Sequence, residues 1–226
     1  MAITRKDSHP CGAGNVEGPI EDPLVRESRS LQTSLGSTTD PLFGVRLGVV
    51  PFTRSYWVVP GRLLAGFYPA SPDPVGATEK LLQLLAVGVR HVVNLTEERQ
   101  GNYSGQGLVN YEPELLELAD RQDLTVEHHR HPIRDLTAPR IESMVAILDD
   151  IDDAVRRGRP SYVHCWGGRG RTGTVVGCYL ARHGMAVGDA ALAMIRYLRR
   201  TDAKAEAEAP ETAEQKDFVL RWPVGQ

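Results

Sequence analysis

A thiol, an imidazole, two guanidinium groups and four glycines crowd into one stretch, Ser161-Tyr-Val-His-Cys-Trp-Gly-Gly-Arg-Gly-Arg-Thr-Gly-Thr174. Tyr162-Val163 reads as a buried strand and Val175 to His183 as an apolar helical run, so the glycines lie in a strand-to-helix turn. Gly167, Gly168 and Gly170 carry no Cβ, which lets successive backbone N–H groups converge on one point. The helix that follows adds its dipole and its unpaired first-turn amides, so the turn is built to hold a tetrahedral dianion. Arg171 adds a planar fork that grips two phosphate oxygens, with His164, Trp166 and Arg169 around the same turn. Cys165 stands at the mouth of this electropositive nest, where the thiolate is favoured, and Thr172 can donate a hydrogen bond to it. A thiolate facing a bound phosphate is a nucleophile. A nucleoside-triphosphate loop is excluded, because it ends in Gly-Lys-Ser/Thr and the chain has no Gly-Lys pair.

His164-Cys165, five residues, then Arg171-Thr172 resembles the His-Cys-x5-Arg-Ser/Thr signature of the cysteine-based protein tyrosine phosphatases. The glycine-rich form ending Gly-Arg-Thr-Gly is similar to the compact dual-specificity branch, and Pro60 to Pro69 resembles that branch's opening segment. The resemblance implies an α/β fold in three layers: a central, mostly parallel sheet of four to five strands with helices on both faces. It implies Cys165 as nucleophile, Arg171 and the loop 164–170 as the phosphate cradle, and a phosphocysteine intermediate, with no cofactor and no metal in the chemistry. Asp135, on a proline-bounded loop upstream, takes the general acid's place, because a departing alkoxide needs a proton. Asp123 and the acidic cluster at 149–153 are poorer candidates, lying at a strand start and on a helix face. Gln215, in Glu211-Thr-Ala-Glu-Gln215-Lys-Asp-Phe218, matches the glutamine that positions the hydrolytic water.

Composition bounds the rest. At 226 residues, 41% hydrophobic and 24% charged, the chain reads as one globular domain, residues 46–226, behind a Ser/Thr/Gly/Pro-rich extension over 1–45 without persistent periodicity. A net charge of −3 gives no global attraction to nucleic acid or an anionic membrane, so any electrostatic preference must be local, and nucleic acid is not expected as a partner. The expected partner is a phosphorylated protein or a small phospho-substrate. Three scattered cysteines, Cys11, Cys165 and Cys178, have no metal spacing and point to a reducing compartment, the cytoplasm by default. No apolar run approaches the roughly 20 residues of a membrane span.

The elements that position the loop follow from periodicity. Strands are expected over 55–59 and 62–66, joined at Pro60-Gly61, and over 89–95 and 124–129. Helices are expected over 77–87, 111–120, 140–157 and 190–200, and from Pro210 onward, where Phe218 and Trp222 pack the last one down. Lys204 to Ala209 reads as a loose low-complexity segment. His129 and His131 share a strand face, but no third ligand accompanies them at a suitable spacing, so they read as a polar strand end.

The leading substrate class is phosphotyrosine, with phosphoserine and phosphothreonine, because no phosphotyrosine-clamping aromatic loop is identifiable. Arg169 adds a second cation where tensin-type enzymes carry lysine, which keeps a phosphoinositide or inositol polyphosphate open as the alternative. A slow phospho-binding adaptor and an RNA 5′-triphosphatase on the same fold are the remaining readings.

Overall fold

The computed structural model describes residues 38–39, 46–47, 49–71, 73–101 and 105–226. The extension expected over 1–45 and Cys11 lie almost wholly outside the described residues. Thr38–Thr39, in that extension, pairs antiparallel with Arg46–Leu47 just beyond it.

Strands β1 (Ser55–Val59) and β2 (Leu63–Gly66) form an antiparallel hairpin across Pro60-Gly61, with Gly61 at φ +68°. Strands β3 (His91–Asn94), β4 (Glu127–Arg130) and β5 (Ser161–His164) complete a five-stranded sheet of order β1-β2-β5-β3-β4. Every pairing except the hairpin is parallel. Alternation along each strand sends neighbouring residues to opposite layers. Val92 and Tyr162 face the core built with helices α1 (Pro74–Ala86) and α2 (Glu112–Asp120), through Leu81, Leu84, Leu85, Leu115 and Leu118. Val93 and Val163 face the larger core, covered by α3 (Ile141–Arg156), α4 (Gly170–Arg182), α5 (Asp189–Leu198) and α6 (Ala213–Arg221). This is the expected three-layer α/β arrangement. β5 is the middle strand, with Gly66 and Asn94 both in register with His164, so Cys165 emerges at the carboxyl edge of the sheet, where ligands bind in such folds.

Boundaries differ where caps and turns intervene. The strand expected from Val89 begins at His91, because the Val89 amide still bonds Leu84 O as the helix unwinds. The one expected from Leu124 begins at Glu127, after Asp123 turns at φ +55°. The segment 204–209 is tied down rather than loose. Fully buried Arg199 donates to the carbonyls of Lys204 and Ala207 and pairs with Asp202, and the Ala203 amide bonds Thr53 O.

α4 carries glycines at 170, 173 and 177, and these let the chain of α6 lie against it. A Cβ at Gly177 would stand 2.6 Å from Val219 Cγ1, one at Gly173 would stand 3.2 Å from Pro210 N, and one at Gly170 would stand 2.9 Å from Gln215 Oε1. This glycine face decides how closely Gln215 approaches the turn before α4.

Candidate active site

β5 ends at His164, and the chain turns at once through 165–169 into α4. Two carbonyls of the turn are held outward: the Tyr68 amide donates to Trp166 O at 3.1 Å and Arg54 Nη2 to Gly167 O at 2.6 Å. In a trans peptide the next N–H points the opposite way, so the amides of Gly167 and Gly168 face inward. The Gly168 amide donates to Cys165 Sγ at 3.2 Å, and Gly168 holds φ +70° with no room for a Cβ. Cys165 is 2% exposed. Thr172 Oγ1 accepts from the Cys165 amide at 2.9 Å and lies 3.4 Å from Gly66 O. The sulfur's donor is therefore the Gly168 amide, and the Thr172 hydroxyl fixes the Cys165 backbone.

Arg171 is 1% exposed, a full charge inside the protein. Its Nη1 is anchored by Ile133 O at 3.0 Å, Gln100 Oε1 at 2.7 Å and Leu95 O at 3.4 Å. Nη2 pairs with Asp135 Oδ1 at 2.9 Å, while Nε has no partner among the described residues. An unsatisfied buried N–H on a guanidinium costs free energy that only an acceptor returns. Nε is thus open to an acceptor, while Nη2 is held by Asp135.

Asp135 sits half-exposed on a turn in which Leu136 takes φ +63°, a left-handed backbone uncommon for a branched residue. The turn is held from both sides. Ile133 N bonds Leu95 O, and Gln215 Nε2 donates to Thr137 O at 3.1 Å. Fully buried Gln215 spends its Oε1 on the Glu211 and Thr212 amides, and Thr212 caps α6 in return. Its amide ties α6 to the Asp135 turn. Arg169 pairs with Glu211 at 2.5 Å, so it is braced against the same segment.

A family model described as a Swiss Army Knife protein, DSP-PTPase phosphatase domain (PTP-SAK), matches residues 52–218. The chain belongs to this family. It carries a cysteine-based phosphatase domain of the dual-specificity type. An uncharacterized Methanocaldococcus jannaschii protein is 36% identical over 91 residues, covering 40% of this chain and 56% of that one. Phosphatidylglycerophosphate phosphatase PTPMT2 of Arabidopsis thaliana is 40% identical over 75 residues, 33% of either chain. The chain therefore matches well under two thirds of these curated relatives. The solved structure of Tk-PTP in its active form aligns with a TM-score of 0.51 at 27% identity, covering 74% of this chain and 95% of that one. Among the described residues, no helix is long and apolar enough to cross a membrane.

Within this phosphatase domain the fold recruits residues that no motif marks. Arg54, which supports the loop through Gly167 O, also lies 4.4 Å over the Phe67 ring, and burial pulls its pKa below the usual arginine value. Arg54, Phe67, Tyr68, Trp166, Arg169 and Lys204 line a cavity of about 260 Å³ beside the loop. Tyr111 OH meets His164 Nε2 at 2.5 Å and His128 Nε2 at 3.1 Å. Burial depresses His164 to about 3, so its ring stays neutral and can hold the Cys165 carbonyl through Nδ1. Only the aromatic identity of Tyr111 signals it in the sequence. Cys178 is a free, fully buried thiol, pushed up by burial. The polar strand end is also more than it reads: His91 and Asp150, from β3 and α3, join His129 and His131.

Proposed function

We propose that the protein hydrolyses phosphate monoesters of proteins, phosphotyrosine first and phosphoserine or phosphothreonine with it, through a phosphocysteine intermediate. The observation that carries this is the buried Arg171, three-fold anchored through Nη1 with Nε unpartnered, beside a thiol that accepts the Gly168 amide. The Cys165 thiolate attacks phosphorus, the P–O ester bond breaks, and the leaving oxygen takes the proton of Asp135. Water then attacks the phosphocysteine, Asp135 takes its proton, and phosphate leaves with the thiolate restored. The substrate dianion claims the Arg171 edge that Asp135 occupies, and the freed carboxylate takes a proton from solvent before it meets the leaving oxygen. Fixed N–H dipoles and the guanidinium hold charge without reorganising during the reaction. A thiolate nucleophile needs a reducing compartment, which supports the cytoplasm as its place.

The aromatic wall of Phe67, Tyr68 and Trp166 suits an aryl phosphate. A second reading, a poly-anionic inositol phosphate or phosphoinositide, draws on Arg54, Arg169 and Lys204 around the same cavity. Arg169 and Arg54 are already engaged by Glu211 and Gly167 O, which puts the monoester reading first.

The test is p-nitrophenyl phosphate turnover at 25 °C with EDTA, for native protein beside Cys165→Ser. Turnover that survives chelation and vanishes in Cys165→Ser supports the reading. No turnover from folded native protein overturns it in favour of a phospho-binding adaptor. An Arg169→Ala variant that loses activity on short phosphoinositides but keeps it on phosphotyrosine peptides would move the second reading forward.

A further inference from the structure

We propose that His91, His129, His131 and Asp150 bind a divalent transition-metal ion, zinc by the chemistry of the set, which staples edge strand β4 to helix α3. Three imidazole nitrogens converge on one carboxylate. His129 Nδ1 lies 2.8 Å from Asp150 Oδ1, His131 Nε2 2.9 Å from Asp150 Oδ2, and His91 Nε2 3.3 Å from both Asp150 Oδ1 and His129 Nδ1. The edge of a tetrahedron around zinc, with bonds of about 2.0–2.1 Å, is about 3.3–3.4 Å. The two His91 separations match that edge, and the His129 and His131 contacts with Asp150, at 2.8 and 2.9 Å, lie about half an ångström inside it.

His91 Nε2, His129 Nδ1 and Asp150 Oδ1 form a closed triangle in which every atom faces the other two. With both imidazoles donating to Asp150 Oδ1 the two edges to the carboxylate are satisfied, and the His91–His129 edge sets two ring N–H groups side by side. A cation at the centre takes a lone pair from all three. Two further observations match a built site. His91 is fully buried, and its other nitrogen, Nδ1, meets Ser161 Oγ at 3.0 Å, the outer partner that orients a metal-binding imidazole. The side chains of His129 and His131 are 44% and 26% exposed, which gives an ion a way in. Nitrogen-rich ligation selects zinc, cobalt, nickel or copper over magnesium and calcium. Glu127 stands nearby, but its carboxylate is taken by Arg157 and Arg159.

The place makes sense of the sequence. β4 reads Glu127-His-His-Arg130 and holds no apolar residue, so it cannot be pinned to α3 by hydrophobic burial. The strand runs on through His131, whose amide bonds Asn94 O, into the turn that carries Asp135. An ion here fixes the base of the acid's turn without touching the reacting atoms.

The test uses the full chain in a Cys165→Ser background, which removes the competing thiolate. After EDTA treatment and desalting, added zinc should be retained at one equivalent, read by elemental analysis, and should raise Tm. Cobalt should give the visible bands of a tetrahedral N/O site without a thiolate band. His129→Ala, His131→Ala and Asp150→Asn should each weaken zinc by more than the about 10–100-fold that loss of an outer partner costs, and Ser161→Ala by about that factor. The two part-exposed histidines keep the test valid if the other variants unfold, with folding checked by circular dichroism. Absence of zinc retention, or retention and Tm shift unchanged in folded His129→Ala and His131→Ala, overturns the proposal.

Discussion

Replacing Gly168 and its neighbour Gly167 by alanine, one at a time, separates backbone geometry from composition at the centre of the loop. Gly168 lies at φ +70°, where a side chain costs about 1–2 kcal/mol. A Cβ there would stand 2.7 Å from Gly66 C and Phe67 N, so the turn must retreat by roughly 0.7 Å to reach ordinary contact at 3.4 Å. Both neighbours are backbone of β2 and its extension, and they cannot rotate aside. The retreat lengthens the 3.2 Å bond from the Gly168 amide to Cys165 Sγ to as much as about 3.9 Å, the weak end for a sulfur acceptor. A hydrogen bond to a charged group contributes about 1.5–3 kcal/mol, or roughly 10- to 150-fold in rate. At Gly167 a Cβ would meet nothing within 4 Å among the described residues, and φ is not positive. Initial rates on p-nitrophenyl phosphate should therefore drop about 10- to 150-fold in kcat/KM for Gly168→Ala and stay within about threefold for Gly167→Ala. Circular dichroism must show both folded. Equal losses in the two variants, or a Gly168→Ala enzyme within threefold of native, would refute the nest geometry.

Asp135→Asn should lower turnover by about 10²–10⁴-fold on phosphoserine peptides and by much less on p-nitrophenyl phosphate, whose phenolate departs unaided. Equal losses on both substrates would assign Asp135 to binding through Arg171 instead. Gln215→Ala removes the α6 capping box and the bond to Thr137 O, so urea unfolding should show about 1–3 kcal/mol of lost stability, with kcat falling more than KM rises. A kcat loss without any change in stability would restore the water-positioning role. Acid should destabilise the fold earlier than carboxylate titration does. His164 is held near 3 by burial and His128 is lowered in the same direction, so the unfolded chain binds the extra protons. That stability is whole above about pH 6.5 and is lost as pH falls toward 3, by up to about 1.4 kcal/mol per pH unit for one histidine. Urea midpoints that stay level from pH 6.5 to 5 would contradict it.

What the chain wrote locally was the chemistry of its central loop. Cys165, the glycines and Arg171 lie within one turn, and a strand-to-helix turn with those residues has few other uses. The parallel sheet was legible for a related reason: Val92-Val93 and Tyr162-Val163 are buried on both faces, and continuous apolar strands separated by amphipathic helices leave one architecture open. The sites assembled across the chain were not legible. Arg54 bonds Gly167 over a separation of 113 residues, and Asp150 reaches His129 from the third turn of another helix, pairings that only the sheet order β1-β2-β5-β3-β4 creates. Gln215 shows the boundary between the two. Its place in the sequence marked it, but what its amide binds was decided by the glycine face of α4, which lets α6 settle close enough for Oε1 and one N–H of Nε2 to reach backbone groups. Residue type and spacing determine which groups are available, and tertiary packing determines which partners consume them, because hydrogen-bond geometry is set over tenths of an ångström that no one-dimensional pattern encodes.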